Sequence, residues 1–122
     1  MLNMIKRFLV ILLGMLLLTV FSCASPRPWT KKEKRIAGFY LLGAAADLYT
    51  TERMLNNPNC HENNPALGEH PSDTELVIYF PVESLIVLGL SHYFPKLRIP
   101  LLTTFGVVSW GCAGYNHMLI EE

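Results

Sequence analysis

The chain has 122 residues, enough for one domain at most, and 51% of them are apolar, a high fraction for a soluble protein of this size. Ten Lys and Arg residues balance ten Asp and Glu residues, so the net charge gives no reason to expect bulk attraction to nucleic acid. The composition favours a membrane protein and predicts that nucleic acid is not a partner.

Residues 1–23 have the layout of a secretory signal, with Lys6 and Arg7 ahead of an apolar run over residues 8–21. The run is short for a membrane-spanning helix, which needs about 20 residues. It ends in V-F-S-C, which resembles a bacterial lipobox in which Cys23 would carry the lipid. The alternative is an uncleaved signal anchor in which Cys23 is merely a small buried residue.

Residues 24–35 form a basic linker that leads into the first main helix. Thr30 followed three positions later by Glu33 is a capping box, which predicts a helix start at this point. The apolar, small-residue stretch from residue 36 to about 55 could then cross a bilayer. Asp47 lies near its far end, where a carboxylate is costly in lipid unless it faces the bundle interior or the surface.

Two further helices complete an all-α, three-helix membrane domain over residues 36–122. A second capping box, Ser72 with Glu75, opens a helix of about residues 73–94 in which Pro81 predicts a kink. A third helix covers about residues 99–120. Glycine and other small residues in the first and third helices predict that another helix approaches them closely.

Polar side chains far apart in sequence should converge at one end of this bundle. If three helices cross, then the loop over residues 56–72 and the ends of the first and third helices share one side. The candidate polar cluster consists of Asp47, Thr51, Glu62, Asn64, His70, Asn116 and His117. No zinc-binding, nucleophile or C-x-x-C motif is present. The favoured interpretation is therefore a hydrogen-bonded network that fastens the loop to the helix ends, with metal binding left open and no cofactor predicted.

Cys60 and Cys112 should lie on the same half of the molecule and could be joined by a disulfide. Such a bond requires Cα atoms within about 7 Å, which the sequence does not guarantee.

The orientation in the membrane stays open. Basic residues 27–35, with Lys96 and Arg98, lie on the side opposite the cluster, so the positive-inside rule turns the cluster away from the cytoplasm. A lipidated Cys23 on the outer surface of the inner membrane would place those same basic residues outside. The lipidated signal, the orientation indicated by the basic residues and the three membrane crossings cannot all be correct.

Several short blocks carry a resemblance: W-T-x-x-E-K at 29–34, D-x-x-T-T at 47–51, H-E-x-N-P-x-L-G-x-H-P-S at 61–72 and N-H at 116–117. They resemble a group of small uncharacterised bacterial integral membrane proteins with an Asp on the first helix and an E-x-N-P loop. The similarity covers about residues 28–118. It implies the fold and a membrane location, and it implies no activity.

The sequence thus predicts a small structural or interaction protein of the bacterial cell membrane or envelope, held by a lipid anchor. Its partners would be membrane lipid and either another protein or further copies of itself. One alternative is an intramembrane enzyme or metal-binding protein that uses the cluster, and another is a proton or ion carrier that uses Asp47 and Glu83. An enzyme needs open volume beside the cluster, whereas a scaffold fills that volume with side chains.

Overall fold

The structure, a computed structural model, describes residues 26–121 and contains three helices: α1 (Lys31–Leu55), α2 (Asp73–Tyr93) and α3 (Arg98–Glu121). Within these residues there is no strand, so the prediction of an all-α, three-helix fold is confirmed. The signal segment 1–23 and Cys23 lie outside the described residues. Helix α1 begins at Lys31, inside the segment 24–35 that was predicted as a basic linker.

Both predicted capping boxes are formed, which explains where α1 and α2 begin. The Thr30 hydroxyl accepts from the Glu33 N–H at 3.2 Å, and the Glu33 carboxylate accepts from the Thr30 N–H at 2.8 Å. Ser72 and Glu75 make the same reciprocal pair at the start of α2. These bonds satisfy N–H groups that have no partner inside the helix. From Ser72 onward α2 continues through Pro81 to Tyr93.

Helices α1 and α3 approach most closely at two glycines. A Cβ atom added to Gly43 would lie 2.8 Å from the Trp110 ring, and one added to Gly106 would lie 2.9 Å from the Phe39 ring. The Trp110 indole N–H donates to the carbonyl of Phe39 at 3.0 Å. The predicted close approach is confirmed at these two positions, whereas a Cβ at Gly38 would meet open space.

Helix α2 packs on the other two helices through a small core. Tyr40, Ala44, Val87 and Leu102 form a buried cluster with members from all three helices. The Tyr40 hydroxyl lies 3.4 Å from that of Ser84, which links α1 to α2. The core is narrow because each helix contributes only one stripe of buried residues.

The outer surface of the bundle is strongly apolar. Leu42, Leu85, Val107 and Met118 are each 60% exposed or more, the reverse of the burial that such side chains have in water-soluble domains. One described helix, α2, is long and apolar enough to cross a membrane.

The loop between α1 and α2 is ordered by its own hydrogen bonds. The carbonyl of Asn64 accepts from the N–H groups of Leu67 and Gly68, and the Asn64 side chain accepts from that of Ala66 at 3.0 Å. Gly68 has a φ of 79°, a left-handed conformation that favours glycine. A bond of 2.9 Å from the Glu62 N–H to the Glu69 carbonyl closes the loop.

Candidate functional site

A cavity of about 410 Å³ lies between the three helices and the α1–α2 loop. We call it the acidic cavity. Its polar lining includes Asp47, Thr51, Glu62, Asn64, Tyr79, Glu83, Ser109 and Asn116. His61, Asn63, Thr104 and Cys112 also line it, and aromatic and aliphatic side chains form the remaining walls. The cavity is thus the place where α1, α2, α3 and the loop bring polar groups together.

The first group of polar contacts joins α1 to α3. Asp47 and Thr51 lie one helical turn apart, and the Thr51 hydroxyl donates to the Asp47 carboxylate at 3.3 Å. The Asn116 amide of α3 donates to the Thr51 hydroxyl at 2.9 Å and to the Asp47 carboxylate at 3.3 Å. Thr51 and Asn116 are 1% and 8% exposed. These bonds fix the Asp47 carboxylate at the edge of the cavity.

The second group of contacts joins the loop to α2. The Glu62 carboxylate accepts from the backbone N–H of Asn64 at 2.8 Å, and the Asn64 amide donates to the Tyr79 hydroxyl at 3.0 Å. Pro65 follows directly, and its ring favours an extended Asn64 backbone. The E-x-N-P sequence therefore holds a carboxylate and an amide at the rim of the cavity.

Two further polar groups on the cavity wall are without a partner. Glu83 is partly buried in the middle of α2 and makes no hydrogen bond or ion pair with any described residue. Ser109 is 8% exposed, and within residues 26–121 its hydroxyl also makes no hydrogen bond. Both groups face a space where a ligand could supply the missing partner.

The cavity carries an excess of negative charge. Asp47, Glu62 and Glu83 line it together with one imidazole, that of His61, and none of the described lining residues is Lys or Arg. The rings of Phe105 and Tyr115 line the same space, so the cavity has both acidic and aromatic walls.

The structure brings together most, but not all, of the predicted cluster. Asp47, Thr51, Glu62, Asn64 and Asn116 line the acidic cavity, whereas His70 and His117 do not. His70 is exposed on the loop, and His117 points outward, 3.5 Å from the Glu121 carboxylate. Asn116 and His117 are neighbours on one helix, so their side chains are about 100° apart and only one can face the interior.

Neither a metal site nor a disulfide is found in the described part of the chain. No three His, Cys, Asp or Glu residues among positions 26–121 are grouped so that they could hold a metal ion. Cys60 and Cys112 are both free thiols, so the disulfide that the sequence allowed is not formed. Cys112 instead contributes to the cavity wall.

A second polar cluster, at the opposite end of the bundle, was not predicted. Arg98 is completely buried, and its guanidinium donates to the Glu33 carboxylate at 3.0 Å and to the Ser91 carbonyl at 2.8 Å. It also donates to the carbonyls of Arg27 and His92. The Trp29 ring covers it, with 4.3 Å between the guanidinium carbon and the ring centroid. We call this the Arg98 cluster.

Glu33 gives the Arg98 cluster its negative charge. The backbone N–H of Thr30, followed by the guanidinium groups of Arg27 and Arg98, lowers the pKa of Glu33 from 4.5 to about 2. The carboxylate is therefore ionised at neutral pH. A signal was present in the sequence, because a capping-box carboxylate surrounded by basic residues is well placed to bind one of them.

No profile of a known protein family, no curated protein and no solved structure matches this chain.

Proposed function

We propose that the protein is a small helical membrane protein of the bacterial envelope that binds a small organic cation in the acidic cavity. The observation that carries this proposal is the open space itself. A scaffold would fill the volume beside the polar cluster, yet about 410 Å³ is open there. This volume lies within the usual range for small-molecule sites, about 300 to 1,000 Å³.

The membrane part of the proposal is supported by the distribution of apolar side chains. The long apolar helix α2 and the exposed leucine, valine and methionine side chains of all three helices suit contact with lipid. We place the spanning segments at residues 36–55, 73–94 and 99–120. Residues 26–35, with Trp29 and four Lys or Arg residues in sequence after it, then lie at one membrane surface.

The charge and shape of the cavity support a cationic ligand. Three carboxylates outnumber the single imidazole of His61, and the described lining has no Lys or Arg, so the cavity would repel an anion and attract a cation. Aromatic faces add cation–π attraction, which is used in proteins to recognise quaternary ammonium groups. The carboxylates are too scattered to form a metal-binding group within the described residues. An organic ammonium ion, whose charge is spread over a larger volume, suits this arrangement better.

A structural role for the same contacts is compatible with binding. The bonds of Thr51 and Asn116 fasten α1 to α3, and those of Asn64 fasten the loop to α2, as expected for a network that holds the helix ends. They also leave Glu83 and Ser109 free on the wall. The network positions the site, and the groups without partners are available to the ligand.

The proposal is tested with tetramethylammonium as the probe and tert-butanol as an uncharged molecule of similar shape. Binding to the full chain is measured by titration calorimetry in an uncharged maltoside detergent. We expect saturable binding of tetramethylammonium and none of tert-butanol. Glu83→Gln should weaken binding at least tenfold, which corresponds to about 1.4 kcal/mol.

Glu52→Gln is the matched control, because Glu52 is exposed on α1 and does not line the acidic cavity. It removes the same charge from the protein and should leave the affinity unchanged. Equal affinities of the wild type and Glu83→Gln, or equal binding of the two probes, would refute cation binding in this cavity.

A further inference from the structure

A second cavity of about 240 Å³ adjoins the acidic cavity between α2 and α3. We call it the apolar groove. Its own walls are Val82, Ile86, Val87, Leu90 and Leu101. None of these side chains can form a hydrogen bond, so the groove suits a hydrocarbon group.

The two cavities share a wall formed by Tyr79, Glu83 and Phe105. Glu83 is therefore the point at which the acidic surface changes to an apolar one. The groove follows α2 from Glu83 to Leu90, seven residues or about 10 Å along the helix axis. A charged group beside Glu83 would have hydrocarbon-lined space directly next to it.

We propose that the bound cation is amphiphilic, with its ammonium group in the acidic cavity and its alkyl chain in the apolar groove. This inference rests on the proposed function and specifies its ligand. The carboxylate of Glu83, which lines both cavities, carries it, together with the Ser109 hydroxyl, which lies in a residue only 8% exposed and is unpartnered within the described residues. One amphiphilic cation would occupy both the acidic cavity and the apolar groove.

A second copy of the chain fits the groove less well. Helices α2 and α3 contain no Lys, and their one Arg is Arg98, which is buried in the Arg98 cluster at the other end of the bundle. The apolar face of another copy could cover the groove but would bring no Lys or accessible Arg to Glu83 through either helix. The amphiphilic cation satisfies the carboxylate and the groove at the same time.

The test compares tetramethylammonium with butyltrimethylammonium, which adds three methylene groups. Each methylene transferred from water into an apolar site is worth about 0.8 kcal/mol, or about fourfold in affinity. We therefore expect the butyl compound to bind up to about 60-fold more tightly to the wild type. Leu101→Trp, which places an indole in the groove, should abolish this gain and retain tetramethylammonium binding.

Val107→Trp introduces the same indole on α3 at a position that is 60% exposed and should keep the full gain. Leu90→Phe fills the groove from α2 and serves as the second groove variant if Leu101→Trp does not fold. If tetramethylammonium binds and the butyl group adds nothing, the amphiphile is refuted and cation binding stands. If the butyl compound still binds more tightly than tetramethylammonium in both Leu101→Trp and Leu90→Phe, the amphiphile is also refuted. If neither compound binds to the wild type, cation binding is refuted as well.

Discussion

The contact between Gly43 and Trp110 offers a direct test of how α1 and α3 are packed. Gly43→Ala would place a methyl group 2.8 Å from Cδ1 and 2.9 Å from Nε1 of Trp110, and 3.3 Å from Cβ of Ser109. The indole would have to move and would lose its bond to the Phe39 carbonyl. Overpacking of this kind costs about 1 to 3 kcal/mol.

Gly38→Ala is the matched control on the same helix, because nothing lies within 4 Å of the added Cβ. Replacing Gly by Ala inside a helix favours folding by about 1 kcal/mol, and both variants receive this gain. We therefore expect Gly38→Ala to be more stable than wild type by up to about 1 kcal/mol, and Gly43→Ala to be less stable than Gly38→Ala by about 1 to 3 kcal/mol.

The assay is reversible unfolding in maltoside, followed by helical circular dichroism, with the free energy of unfolding obtained for the three proteins under one set of conditions. Tryptophan fluorescence reports whether the indole of Trp110 has moved. If the two alanine variants are equally stable, α1 and α3 do not approach each other at Gly43, and the packing described here is wrong.

Three further predictions concern the two polar clusters. The pKa of Glu33 is lowered from 4.5 to about 2, so its ionisation stabilises the fold above pH 4.5. That contribution is lost as the pH falls toward 2. The free energy of unfolding measured across this pH range should show the loss in wild type and not in Glu33→Gln. Arg98→Met should lower the melting temperature, since its bond to the carbonyl at the end of α2 alone is worth about 1.5 to 3 kcal/mol, whereas Lys96→Met should not. A double-mutant cycle of Thr51→Ala and Asn116→Ala should give a coupling energy of about 0.6 kcal/mol, the average for hydrogen bonds between membrane helices, and at most about 1.7 kcal/mol. A coupling near zero would contradict the bond.

Local signals in the sequence predicted the helices well. The capping boxes at Thr30 and Ser72 involve residues only three positions apart, so the chemistry that starts each helix is visible in the sequence itself. The two helix starts fall at Lys31 and Asp73, as these boxes predict.

Contacts between distant residues were predicted less completely. Asp47 and Asn116 were expected at the same end of the bundle because three crossings require it, and they are bonded. Which face of a helix points inward depends on the rotation of the helix about its axis. That rotation turns Asn116 toward the interior and its neighbour His117 toward the outside. Loop positions have no such periodicity, so the exposed position of His70 could not be derived.

The Arg98 cluster is the clearest example of a contact that the sequence does not predict. Arg98 and Glu33 are 65 positions apart, and a basic residue beside a predicted turn is usually exposed. Burial of Arg98 depends on Trp29 and several backbone carbonyls reaching it together. No spacing within a short window of sequence encodes such an arrangement.

The Arg98 cluster also implies that the two ends of the bundle open with different ease. One guanidinium ties the segment before α1 to the end of α2 and the start of α3, so local unfolding of any of them breaks bonds to a charged group. At the acidic cavity no single side chain joins three segments: α1 is bonded to α3 through Asn116, and the loop is bonded to α2 separately through Asn64. Slow amide hydrogen exchange should be concentrated near Arg98, with faster exchange in the α1–α2 loop. Transient opening of that loop would then admit molecules to the cavity while the helix pair behind it stays closed.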